Sequence, residues 1–190
     1  HYCRAATKLP EDKVTSISLP LLDALMELHP DRHRLEELRS KDELEEGELE
    51  EVRRARSGYL HRDIKPENVI YVPGRGPVLI DFNITSRVSE DISTKTSTPG
   101  YLPPDLMQSP EWTEDVDIYQ LGLTLLQVAV GVRFKADDDS SESNLSDLRT
   151  LAEEKLTDPL RQVLLKMVAE KKRDRWENAR EAHIALTQEA

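Results

Sequence analysis

Two short stretches carry the residue types that chemistry needs. Leu60 to Asn68 reads LHRDIKPEN, and Asp81-Phe82-Asn83 follows a few residues later. Asp63 is a carboxylate able to accept a proton from an attacking hydroxyl. Lys65 sets a cation two residues on, and Asn68 offers a neutral oxygen of the kind a hard cation accepts. Asp81 adds a second carboxylate. Such a set suits phosphoryl transfer, in which positioning and charge neutralisation do most of the catalytic work. The bland alternative is that Asp63 and Asp81 only cap turns or helices, a common role for Asp in loops.

The elements that must position these residues can be read outward from them. Val69 to Val72 and Pro77 to Ile80 are apolar runs around Pro73-Gly74-Arg75-Gly76, which predicts a hairpin that returns Asp81 to the neighbourhood of Asn68. Residues His1 to Ser16 read as a connecting segment. The Ser18 hydroxyl with Pro20 in the first turn predicts a helix start. Leu21, Leu22, Leu25, Met26 and Leu28 then recur at helical spacing until His29-Pro30.

Asp31 to Ser57 is rich in Glu and Arg, with Leu35, Leu38, Leu44, Leu49 and Val52 as its apolar positions. It predicts a charged helical hairpin: one helix capped by Asp31 and running through Arg39, and a second from Asp42 to Arg56. Acidic residues come first in the second helix and Arg53, Arg54 and Arg56 last, an order that complements the helix dipole. The hairpin reads as a docking surface or as a solvated excursion.

Asp115 to Val130 is apolar almost all round, which predicts a helix buried in a core. Lys135 to Asn144 reads as an acidic Ser-rich loop. Leu145 to Leu156, Pro159 to Glu170 and Asn178 to Gln188 follow as amphipathic helices, with Thr157 or Asp158 capping the second and Trp176 packed between the last two.

Composition bounds the reading. The 190 residues carry a net charge of −11, with 37% hydrophobic and 33% charged residues, which fits one domain with a fair core. Cys3 is the sole cysteine, so no internal disulfide forms and a reducing, cytoplasmic setting is expected. No apolar run is long enough for a membrane span and no signal peptide opens the chain. The acidic balance argues against direct nucleic-acid binding.

HRDIKPEN resembles the catalytic loop of eukaryotic-type (Hanks-type) Ser/Thr protein kinases. DFN is similar to their DFG element, and TPGYLPPD, from Thr98 to Asp105, to their APE segment. The implied fold is mainly α: a kinase-like large (C-terminal) lobe with a short β-hairpin beside the catalytic loop. The implied organisation is residues 1–190 as that lobe, 31–57 as an insertion and 81–105 as the activation segment. No glycine-rich loop or Val-Ala-Ile-Lys lysine stands upstream, so the nucleotide-covering N-lobe is expected to be absent from this chain and supplied by a larger protein.

The resemblance implies ATP and Mg2+ as cofactors and a protein hydroxyl as substrate. Asp63 would be the base, Lys65 would steady the transferred group, and Asn68 and Asp81 would hold metal. Lys65 is the residue that sets Ser/Thr kinases apart. Thr98 would contact the catalytic Asp and Lys. Asp105 would pair with Arg175, and Asp117 would hydrogen-bond the catalytic-loop backbone. Ser93, Thr94, Thr96 and Ser97 would be candidate phosphosites with Arg62 able to hold a phosphate, or else ordinary loop hydroxyls. Asn83 stands where the family has a flexible glycine, which keeps a pseudokinase or regulatory module open as the alternative. A small-molecule phosphotransferase would lack both the hydroxyl-rich segment and the Asp105 and Arg175 pair. The insertion, DFN and TPGYLPPD further resemble kinase domains of bacterial phage-defence systems of the BREX type.

Overall fold

The computed structural model describes residues 8–41, 43–88, 98, 100–107, 111–133 and 141–188. Helix α1 (Glu11–Leu28) begins seven residues before the expected start at Ser18. Pro10 occupies the N-cap and Glu11 and Asp12 lie in the first turn, where negative charge meets the positive end of the helix dipole. The buried stripe therefore extends back to Val14, and Ser18, rather than capping, donates its hydroxyl to Val14 O at 2.8 Å inside the helix.

Helix α2 (Arg32–Arg39) is capped as expected, Asp31 accepting the Arg34 N–H. Helix α3 (Glu46–Arg56) starts later than its predicted Asp42, which lies outside the described residues. The reason is a reciprocal capping box between Glu45 and Glu48. Leu35 and Leu38 are buried, but Leu44 and Leu49, expected as apolar anchors, are exposed, Leu49 by 55%. The two ends of the hairpin meet where the Asp31 N–H donates to Ala55 O at 2.9 Å. Gly58 then passes so close to Pro30 that a Cβ would sit 2.4 Å from its ring.

Strand β1 (Tyr59–Leu60) leads into the stretch from His61 to Asn68. Strands β2 (Val69–Val72) and β3 (Gly76–Leu79) form the expected antiparallel hairpin, with Val69 opposite Leu79 and Val72 opposite Gly76. Strand β4 (Ser86–Arg87) returns to pair with β1, a closure the sequence pattern did not show.

The core is built on α4 (Glu114–Val130), every residue of which is buried. Helix α5 (Ser141–Lys155) takes in residues expected to belong to the preceding loop. Helix α6 (Leu160–Met167) is shorter than predicted, and Pro159 is its N-cap. The Asp158 carboxylate is turned to the Arg161 and Gln162 side chains instead of capping. Helix α7 (Ala179–Gln188) follows. Helix α6 crosses α4 at Gly122, where a Cβ would lie 2.6 Å from Met167 Cβ, so only a bare backbone permits the approach. Trp176 packs as expected, donating Nε1–H to Val163 O at 3.2 Å. The fold is thus mainly helical with two small antiparallel ribbons, the architecture the resemblance implied. Among the described residues no helix is long and apolar enough to cross a membrane.

Candidate active site

Helix α4 is not apolar on every side. Asp117, Gln120, Thr124 and Gln127 recur at helical spacing, all buried, and form a polar stripe on one face. Asp117 accepts two backbone N–H groups, from His61 at 2.7 Å and from Arg62 at 2.8 Å. Gln120 accepts the Ile64 N–H and donates to Arg62 O, both at 3.0 Å. Gln127 donates to the Tyr101 hydroxyl at 2.7 Å. Every one of these groups is buried, so each would be costly if left unmade.

This clamp holds unusual backbone. Among the described residues, the non-glycine residues with positive φ are Arg62, at +71°, and Asp81, at +66°. That region costs an L-residue of order 1–3 kcal/mol and persists only where the surroundings fix it. Arg62 is fixed at both its N–H and its carbonyl. Asp81 is fixed through its neighbour Ile80, whose N–H donates to Asn68 O at 2.9 Å while its carbonyl accepts His61 Nε2–H at 3.1 Å. The hairpin therefore does return Asp81 to the first stretch, and His61 ties the two together from within the core.

Asp63, Lys65 and Thr98 form a closed triangle. Lys65 Nζ lies 2.8 Å from Asp63 Oδ2 and donates to Thr98 Oγ1 at 2.6 Å, and that hydroxyl donates to Asp63 Oδ1 at 2.6 Å. Asn68 Nδ2 donates to the Asp63 carbonyl at 2.7 Å and to its carboxylate at 3.0 Å. Burial pushes the Asp63 carboxyl up, but the Lys65, Thr98 and Asn68 hydrogen bonds together hold it below the ordinary aspartate value. The result is a carboxylate ionised at neutral pH and aimed by three partners.

The residues fit a divalent cation of the Mg2+ kind in the sense of the donor set. With its amide nitrogen spent on Asp63, Asn68 keeps its oxygen for a cation, and Asp81 is exposed. Among the described residues no group of three or more His, Cys, Asp or Glu forms a cage. A cation here would draw its remaining ligands from phosphate and water, which is how Mg2+ is commonly held.

The other anticipated residues are also placed. Arg175, its side chain 1% exposed, donates to Asp105 and lies 3.3 Å from Asp115 Oδ2. Asp105 also accepts the Lys172 N–H at 2.6 Å. Burial raises the Asp115 carboxyl despite Thr113 and Arg175. Arg62 is engaged in the fold: its guanidinium stacks 4.3 Å above the Trp112 ring and donates to Ile84 O at 3.2 Å. Ser93, Thr94, Thr96 and Ser97 lie outside the described residues. Asn83, in a turn, is not at positive φ.

Sequence reasoning missed His29, Gln120 and Asp115. His29 Nε2 donates to Asp117 Oδ2 at 2.9 Å. Gln120 carried a signal, three residues beyond Asp117 on one helical face, whereas nothing near His29 in sequence marks it.

A helical lobe whose central helix clamps a loop bearing Asp63, Lys65 and Asn68 is the large lobe of a kinase-type fold. Residues 55–187 match the family model described as "Protein kinase domain", and the chain belongs to that family. Among similar proteins, Serine/threonine-protein kinase 36 of Pongo abelii is 32% identical over 127 residues, 65% of this chain and 8% of that protein. The MAP kinase kinase MKK1/SSP32 of Saccharomyces cerevisiae is 30% identical over 93 residues, 48% of this chain and 18% of that one. Serine/threonine-protein kinase PEPKR2 of Arabidopsis thaliana is 29% identical over 119 residues, 58% of this chain and 25% of its own length. The chain thus spans a quarter or less of these relatives.

Proposed function

We propose that residues 1–190 are the large lobe of a Ser/Thr protein kinase, with 31–57 as an insertion and 81–105 as the activation segment. The observation that carries the reading is the triangle of Asp63, Lys65 and Thr98 beside Asn68. The substrate hydroxyl oxygen forms a bond to the γ-phosphorus of ATP while the bond from that phosphorus to the bridging oxygen breaks, and the hydroxyl proton passes to Asp63. Lys65 offsets charge on the transferred group, and Thr98 fixes the Asp63 carboxylate toward the incoming hydroxyl. Asn68 and Asp81 are the residues that would hold Mg2+, which supplies charge neutralisation on the phosphates when bound. The reading assigns the nucleotide-covering lobe to the remainder of a longer protein, and it expects the lobe alone to be silent.

The pseudokinase alternative drew on Asn83. Because Asn83 adopts a φ open to any residue here, its presence raises no conformational obstacle in this state.

The test is transfer of labelled phosphate from ATP and Mg2+ by the complete protein, followed by phosphoamino-acid analysis. Asp63→Asn and Asp81→Asn should each lower the rate by about a hundredfold or more. Equal, background-level transfer by wild type and both variants would sink the proposal, and nucleotide binding without transfer would favour the pseudokinase. The resemblance of the insertion, DFN and TPGYLPPD to kinase domains of bacterial phage-defence systems of the BREX type supports that setting as part of the proposal, and it predicts that Asp63→Asn abolishes phage restriction by the host system.

A further inference from the structure

The hairpin of α2 and α3 spends its charges on one side only. On the inner face of α3, Ala55 is buried, Glu48 pairs with Lys41 and Glu51 pairs with Arg34 of α2. The outer face is open. Leu49, Glu50, Arg53, Arg54 and Arg56 are exposed there, Leu49 by 55%. Arg54 and Arg56 form no ion pair among the described residues, and neither does Glu43 just ahead of the helix. Glu50 and Arg53 have only each other, at 3.4 Å, with side chains 77% and 80% exposed. A pair so exposed contributes little to the fold.

The order of these charges is self-complementary. Glu43, Glu45 and Glu50 lead, and Arg53, Arg54 and Arg56 trail. Two copies of α3 laid parallel set like charge against like, whereas two copies laid antiparallel set the acidic half of each against the basic half of the other. A two-fold axis crossing α3 between Glu50 and Arg53 places Glu50 of each copy against Arg53 of the other, and lays the aliphatic stem of Arg54 along Leu49. That is the isologous contact a symmetric pair requires. The net charge of −11 opposes contact between two copies over most of their surface, so a face on which opposite charges meet is favoured.

The face is also held in place. The Asp31 N–H donates to Ala55 O at the base of the hairpin, and Arg32 binds the buried Glu114 of α4 in a two-pronged pair. Little ordering of α3 is therefore needed on contact. An eleven-residue helix offers about 16 Å of length, which makes the association weak and concentration-dependent.

We propose that the outer face of α3 is a self-association surface, and that its occupant is α3 of a second copy of this chain, set antiparallel. The proposal stands independently of phosphoryl transfer.

Sedimentation equilibrium of the full chain, from micromolar to millimolar concentration, tests it. The wild type should show a monomer–dimer equilibrium. The acidic-face variant R53E/R54E/R56E and the basic-face variant E43R/E50R should each weaken it by about tenfold or more, because each brings like charges together. E43R/E50R lowers the overall negative charge, so repulsion between whole molecules alone would make it associate more tightly than the wild type. Mixed in equal amounts, the two variants should pair at least as well as the wild type, which also shows that both are folded. The proposal is overturned if the wild type stays monomeric throughout, which would leave the face to a different protein. It is equally overturned if E43R/E50R associates as tightly as the wild type, or if the mixture stays monomeric.

Discussion

Asp117 Oδ1 accepts the backbone N–H of Arg62 at 2.8 Å, and Arg62 is held there at a φ of +71°. The carboxylate and the strained backbone belong together, because a left-handed non-glycine residue stays put only when neighbouring groups determine it. Asp117→Ala removes the acceptor for two buried N–H groups and strands His29 Nε2 as well. Each hydrogen bond to a charged group contributes about 1.5–3 kcal/mol, so a loss of roughly 3–5 kcal/mol is expected. Urea unfolding at constant m-value measures it, and a loss below about 1 kcal/mol would show that the clamp does not hold the loop.

Asp63 yields a pH dependence of definite sign. Burial raises its carboxyl, yet Lys65, Thr98 and Asn68 outweigh burial, so the folded value lies below the unfolded one. The stabilisation is therefore present above the unfolded value, about 3.9, and is lost as pH falls through the folded value. The difference in unfolding free energy between wild type and Asp63→Asn should be constant near neutral pH and shift against the wild type on acidification below about pH 4. A difference that moved in the wild type's favour on acidification would contradict the assigned partners. Thr98→Val, which removes the bridging hydroxyl, should shrink the pH-dependent part, and Thr98→Ser should keep it.

The Asp105 and Arg175 pair is asymmetric, since Arg175 also faces Asp115. Arg175→Ala strands two carboxylates, one of them buried, and should cost about 3–5 kcal/mol. Asp105→Ala leaves Arg175 with Asp115 and should cost clearly less. Chemical denaturation of both variants compares them directly; equal losses would mean that Asp115 does not compensate. The ionised Asp115 is disfavoured by burial, so Asp115→Asn should gain on the wild type as pH rises through the acid range.

Much of the site was legible because it is local. The spacing from Asp63 to Asn68 and the glycine-rich turn before Asp81 are written within about twenty residues, and the hairpin followed from two short apolar runs around that turn. Asp117, Asp105 and Arg175 were placed by resemblance, and the structure brings each to its expected partner. What escaped was set by packing. The polar stripe on α4 was hidden because Gln120, Thr124 and Gln127 look incidental until a loop is laid against them. The start of α1 was misjudged because Ser18 and Pro20 imitate a cap, while the true cap lies at Pro10, ahead of two acids. Leu44 and Leu49 fitted a helical stripe, yet the short hairpin offers them nothing to bury against.

Two glycines in one segment should respond oppositely to the same substitution. Gly47 lies in α3 with nothing within 4 Å of a built Cβ, so Gly47→Ala lowers the entropy of the unfolded chain without a clash. It should stabilise by about 0.5–1 kcal/mol. Gly58 closes the base of the α2 and α3 hairpin, where a Cβ would stand 2.4 Å from both Cδ and N of Pro30. The obstacle includes backbone fixed by the Asp31 to Ala55 hydrogen bond, so it cannot swing aside. Gly58→Ala should cost about 3 kcal/mol, the upper range for overpacking. For a chain of this size each kcal/mol moves the thermal midpoint by roughly 2–4 °C, so the two variants should melt on opposite sides of the wild type. If Gly58→Ala melted with Gly47→Ala above the wild type, the hairpin of α2 and α3 would not be pinned at its base.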